Sequence, residues 1–159
     1  MRAVVLWLSL ASLARAEMQI GDAARALDLP ALDGKIVKVE DLRGRVAVVD
    51  FFATWCGPCQ EAMAALDQIA RGEPRIQLVI VDSGEDPAKV KAFFAEHPLP
   101  PGARVLVDEN DVAGRRWGRH RFPTTFVLDA AAVVRHINRG YGPGYPARMA
   151  GWIRATIAR

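Results

Sequence analysis

The chain's two cysteines, Cys56 and Cys59, fall within Trp55-Cys56-Gly57-Pro58-Cys59. Two thiols at this spacing can close on each other or open together. That is the requirement for thiol–disulfide exchange, in which a thiolate attacks a disulfide sulfur and a second thiol releases it. The run before them, Val46 to Phe52, is apolar at nearly every position and predicts a buried strand. After them, Cys59, Met63, Leu66 and Ala70 recur at helical spacing. The sulfurs therefore belong at a strand end and a helix start. Unpaired N–H groups and the positive end of the helix dipole favour thiolate there. Cys56 is expected to be acidic and nucleophilic near neutral pH. A purely structural bridge is the alternative. Closing so short a loop stabilises by roughly 2 kcal/mol, against about 3 for a fifteen-residue loop. Both sulfurs at one helix tip fit redox chemistry better than a staple.

Other residues nearby have the right types for supporting roles. Asp50 interrupts an otherwise apolar strand, so its carboxyl should be buried with a raised pKa. It is a candidate acceptor for the proton of Cys59, directly or through water. The alternative is a carboxylate hydrogen-bonded locally at the strand end. Pro58 suits the first turn of a helix and restricts the loop. Trp55 reads either as a partner-facing aromatic beside the sulfurs or as a partly buried core residue. Arg115, Arg116, Arg119, His120 and Arg121 form a basic run. A solvated helix face is the plainer reading of that run, attraction of acidic partners or a lowered Cys56 pKa the functional one. His97 and His136 have no metal-ligand spacing to the cysteines and read as surface or structural.

The elements that must position these residues follow from pattern. Residues 17–32 show no firm period and read as an arm over the fold. Asp33-Gly34-Lys35 is a turn, Ile36 to Val39 an edge strand, and Asp41 to Gly44 a second turn. The helix after Cys59 should stop at Gly72, and Ile76 to Asp82 is the next buried strand. Asp86-Pro87 begins a helix that His97-Pro98 ends. Arg104 to Val107 is a short strand, and Asn110 or Asp111 caps a short helix to Trp117. Thr125 to Asp129 and Val133 to Asn138 form an antiparallel hairpin. Pro146 starts a last helix with Met149, Ile153 and Ile157 on one face. Strand–helix alternation gives an α/β protein: helices around a mainly parallel sheet, made mixed by the closing hairpin.

At 159 residues, 25% charged and 51% hydrophobic, the chain suits one globular domain after its leader. Arg2, the apolar run Ala3 to Ala14 and Ala14-Arg15-Ala16 match a signal peptide over residues 1–16. Residues 17–159 form the domain, and the protein is expected to be periplasmic or secreted. An uncleaved N-terminal anchor is the alternative. Cleavage removes Arg2 and Arg15 and no acid, so the formal charge of +3 says little about partners. Nucleic acid is not indicated.

The segment Val49-Asp50-Phe51-Phe52-Ala53-Thr54-Trp55-Cys56-Gly57-Pro58-Cys59 resembles the active-site segment of thioredoxins. Phe122-Pro123-Thr124-Thr125 resembles their cis-proline loop. The lead-in Asp41 to Gly44 and the long connection from Ile76 to Val107 resemble the exported TlpA/ResA-like branch. The resemblance implies a thioredoxin-like three-layer sandwich with a mixed central sheet and flanking helices. It also implies a Cys56–Cys59 disulfide, with Cys56 attacking and Cys59 resolving. Pro123 would be cis, and Trp55, Gly57, Pro58, Phe122 and Pro123 would meet the partner. Protein disulfides are the implied substrate and a membrane thiol protein the implied electron donor, with no cofactor and no metal. Cytochrome c maturation is a candidate setting.

Departures from the families are visible. Ala62 stands where exported relatives often carry glutamate, and Ala64 where a proline commonly kinks the helix. Phe122 is bulkier than the usual residue before the cis-proline. Asp50 is a thioredoxin-like feature, yet Ile76 to Val81 offers no lysine to pair with it. An oxidant that inserts disulfides is the nearest rival reading; Gly57-Pro58 favours a reductant. A Cu(I) chaperone would want a wider cysteine gap and a matching histidine. A peroxidase would want Thr-x-x-Cys, and Thr54 is one place too close.

Overall fold

A computed structural model describes residues 17–159. The expected signal peptide, residues 1–16, lies outside the described residues. A two-stranded antiparallel ribbon comes first, β1 (Leu29–Pro30) with β2 (Ile36–Val37), followed by a 3-10 turn, Val39–Leu42. Then come β3 (Val46–Phe52), α1 (Gly57–Gly72), β4 (Ile76–Ser83) and α2 (Pro87–Glu96). The chain ends with β5 (Arg104–Asp108), α3 (Val112–Trp117), β6 (Thr124–Leu128), β7 (Val134–Arg139) and α4 (Tyr145–Ile157).

The main sheet has the order β5-β4-β3-β6-β7. β3 is central, parallel to β4 and antiparallel to β6, which makes the sheet mixed. Every residue of β3 and β4 is buried, as runs covered on both faces must be. Alternation divides them between two cores. Val46, Val48, Phe52, Leu78 and Ile80 face α1, α2 and α4. Ala47, Val49, Phe51, Val79 and Val81 face α3, the N-terminal arm and the ribbon. Phe51, Trp117 and Phe126 pack edge-on or tilted in that second core, with centroids 5.0 to 5.9 Å apart.

Three local expectations change. The edge strand expected over Ile36 to Val39 ends at Val37, because Val39 and Leu42 turn inward as a single 3-10 turn and are buried. The arm is more ordered than its sequence suggests: Met18, Leu27 and Leu29 are core residues and Leu29–Pro30 pairs with β2. Its start packs against Gly118, where a Cβ would lie 2.6 Å from the Glu17 backbone. Asp111 sits at the start of α3 but does not cap it. Asp108 does, accepting from the Val112 and Gly114 N–H groups at 2.8 Å each.

Candidate active site

The site forms where β3 ends and α1 begins. Helix α1 starts two residues before Cys59, which leaves Cys56 as its N-cap with Gly57 and Pro58 in the first turn. Cys56 has extended backbone angles, φ −91° and ψ 100°, and its Sγ accepts the Cys59 N–H at 3.2 Å. A charge on Sγ would be met by that donor and by the helix dipole. The two sulfurs are joined in a disulfide, with the Cα atoms 5.2 Å apart. Cys56 is 6% exposed and Cys59 fully buried, so only the first is reachable from outside.

Phe122 and Pro123 approach from the loop before β6, and their peptide bond is cis. Trp55 stands out into solvent at 66% exposure, which excludes the core reading. Its ring meets Phe122 edge-on at 5.5 Å. The Arg119 guanidinium lies 4.1 Å from the Phe122 ring centroid. Arg119 is also tied to Asp111 and only 13% exposed. It is therefore not part of a solvated face, which corrects the plainer reading of the basic run at this position. Arg116 bonds the Ala26 carbonyl and His120 pairs with Glu17, so these two hold the arm. Arg115, which pairs with Asp111, and Arg121 are both exposed, as the plainer reading expects. His97 stacks on Phe93 and His136 on Trp152, both structural contacts.

Asp50 lies on the β3 face shared with Val48 and Phe52, toward the core that holds both cysteines. It is fully buried. The Thr125 hydroxyl donates to its Oδ1 at 2.7 Å, and the Tyr145 hydroxyl lies 2.9 Å from Thr125. Its Oδ2 has no hydrogen-bond partner among the described residues. Burial pushes the Asp50 carboxyl up to about 7, opposed by the Thr125 hydroxyl. Burial, with Asp50 close by, also raises the Tyr145 phenol.

Sequence reasoning missed a second group. The Glu85 carboxylate accepts from the Thr54 N–H at 2.5 Å and the Thr54 hydroxyl at 2.7 Å, and pairs with Lys89. Thr54 sits two residues before Cys56, and its carbonyl accepts from the Gln60 side chain at 2.8 Å. Asp82, at the end of β4, faces Glu85. The one available signal was Asp82, an acid near the end of a largely apolar strand.

An N-cap cysteine, a buried second cysteine one turn on, and a cis-proline loop beside them define a redox-active site on a thioredoxin fold. A family model described as Redoxin matches residues 19–150, and the chain belongs to that family. The chain is similar to the thiol-disulfide oxidoreductase ResA of Bacillus thuringiensis (strain Al Hakam). The two are 28% identical over 74% of this chain and 68% of the relative. It is 32% identical to the thiol:disulfide interchange protein DsbE of Pseudomonas fluorescens biotype C, over 73% of this chain and 64% of that one. Among solved structures, a putative DsbE from Chlorobium tepidum superposes with a TM-score of 0.81 at 27% identity. That match covers 89% of this chain and 99% of the other.

Proposed function

We propose that the protein is an exported thiol–disulfide oxidoreductase that reduces disulfides in other proteins through Cys56 and Cys59. One observation carries this reading: the outer sulfur, of the 6%-exposed Cys56, caps a helix and receives an N–H, while the other sulfur is fully buried within bonding reach. The similarity to ResA and DsbE supports the same chemistry.

In the reduced protein the Cys56 thiolate attacks a partner's disulfide. A mixed disulfide forms, the partner's S–S bond breaks, and its other sulfur leaves with the electron pair and takes a proton from water. Cys59 then gives its proton to Asp50 and bonds to the Cys56 sulfur. The mixed disulfide breaks and the partner leaves fully reduced. An acid lifted to about 7 by burial suits a base that works near neutral pH. The partner lies along the cis-proline loop, its extended chain against Phe122 and Pro123, with Trp55, Gly57 and Pro58 forming the rest of the contact. Two electrons and two protons reset the site, supplied by a membrane thiol protein. The signal peptide expected over residues 1–16 puts this chemistry in the periplasm or outside the cell. Cytochrome c maturation, with an apocytochrome as partner, is the proposed setting.

Cys59→Ser should trap the partner as a stable mixed disulfide that can be isolated and identified, and Cys56→Ser should abolish reduction of insulin. Full turnover by Cys59→Ser would reverse the roles assigned to the two sulfurs. Equilibration with glutathione separates reductant from oxidant: a potential near about −120 mV would reject the reductant reading.

A further inference from the structure

Behind the active-site loop, two buried carboxyl groups meet. Asp82 is fully buried at the end of β4, next to Phe52 in the β3–β4 register. Both of its oxygens are enclosed and receive no donor among the described residues. Glu85 is nearly as buried, yet its carboxylate is well supplied, by the Thr54 N–H, the Thr54 hydroxyl and the Lys89 ammonium. The charged groups facing Asp82 are Glu85, Lys89 of α2 and Asp108 at the end of β5. Two of the three are acids.

Two facing carboxyls in such a site cannot both ionise cheaply, so one proton is shared between them. The donors decide where the charge rests. Glu85 keeps it, because Lys89 and Thr54 stabilise it. Asp82 keeps the proton and becomes the missing donor to Glu85. The acidities agree: burial and the Glu85 charge lift Asp82 to about 8. Burial would raise Glu85 as well, but the donors from Lys89, Asp82 and Thr54 outweigh it and bring it to about 2.

We propose that Asp82 and Glu85 act as a proton-sharing pair that positions Thr54, and through it Trp55 and Cys56, and that loss of the shared proton loosens this approach to the attacking sulfur. The inference rests on the oxidoreductase reading above. Neither acid touches the reacting atoms, so both are positioning residues. Deprotonation turns the Asp82 donor into a second negative charge against Glu85. Lys89 is half exposed, and Glu85 can swing outward with it. The Thr54 N–H and hydroxyl then lose their acceptor. Exchange by Cys56 would therefore gain from alkaline pH through its thiolate and lose from it through this pair. The wild-type rate should fall above about pH 8 by about tenfold. Asp82→Asn, whose amide donates to Glu85 at every pH, should lack that alkaline limb.

The deciding experiment uses the oxidised protein, in which neither cysteine titrates. The side-chain carboxyl 13C signal of Asp82 and the backbone 15N–1H signal of Thr54 are followed from about pH 6 to about pH 10. The expected result is that both move together with a midpoint near 8 in the wild type, and that Thr54 is still in Asp82→Asn. A Thr54 signal that does not titrate in the wild type, or titrates equally in Asp82→Asn, would overturn the proposal. Should that variant fail to fold, the wild-type titration decides alone. A protein that reduces no disulfide while its Thr54 still titrates would remove the oxidoreductase reading and leave the pair standing.

Discussion

Asp50 and Asp82 stand on adjacent central strands, on the same face of the sheet, and neither reaches solvent. Burial raises both carboxyls, to about 7 and about 8. Their neighbours separate them. Among the described residues Asp50 is bonded by the neutral Thr125 hydroxyl alone, with the Tyr145 hydroxyl behind it, and it lies toward the core that holds Cys59. Asp82 sits among Glu85, Lys89 and Asp108. An isolated buried acid can take up a proton and hand it back, which fits a partner for a thiol. A buried acid locked to another acid exchanges its proton only by disturbing what that second acid holds, here Thr54. On the proposed mechanism, the same desolvation serves a proton acceptor on β3 and an anchor on β4.

The largest expected effect separating the two is on stability. A folded-state pKa raised from 3.8 to about 7 leaves Asp50 without penalty below pH 3.8 and progressively destabilising as pH rises toward 7. Asp50→Asn should therefore gain on the wild type by up to roughly 4 kcal/mol between acid pH and pH 8 in denaturant titrations. For Asp82→Asn the gain should begin at the same pH, near 3.8, and go on growing to about pH 8. A pH-independent difference for either variant would mean that its carboxyl has an ordinary pKa in the fold. Next in size is catalysis. Asp50→Asn should slow release of the mixed disulfide about a hundredfold near pH 7, and less at high pH where the Cys59 thiol ionises unaided. Asp82→Asn should leave that release step unchanged at neutral pH. Rapid-mixing measurements with a Cys-containing peptide disulfide would read both.

The first of these acids was legible in the sequence and the second was not. Asp50 broke an apolar run two residues short of its end and lay near a recognisable Cys-x-x-Cys segment. The strand–helix junction, the hairpin after Pro123, and the caps at Asp86 and His97 were equally local signals. The grip of Glu85 on Thr54 joins residues 31 apart and depends on the parallel register of β3 and β4, which no periodicity reports. The Arg119 contact with Phe122 was hidden for a related reason. A row of basic residues reads as solvated until a fold supplies Asp111 on one side and an aromatic ring on the other. The arm's burial was missed because its apolar residues, Met18, Leu27 and Leu29, follow no single period while bridging several elements.

Arg119 gives the smallest effect, and it sharpens the contrast between an anchored loop and an anchored surface. Arg119→Ala frees the Phe122 ring without touching either buried acid. It should weaken partner binding by about 1 kcal/mol, seen as a several-fold rise in KM with kcat nearly unchanged. A fall in kcat of the size expected for Asp50→Asn would show that Phe122 orders the sulfurs themselves.

The acidity of the outer sulfur in the reduced protein tests this chemistry most directly. Alkylation of Cys56 by iodoacetamide, followed as a function of pH, should give a midpoint well below the ordinary thiol value of about 8.5, with Cys59 reacting only at much higher pH. A Cys56 midpoint at or above that ordinary value, or faster alkylation of Cys59 than of Cys56, would contradict the account.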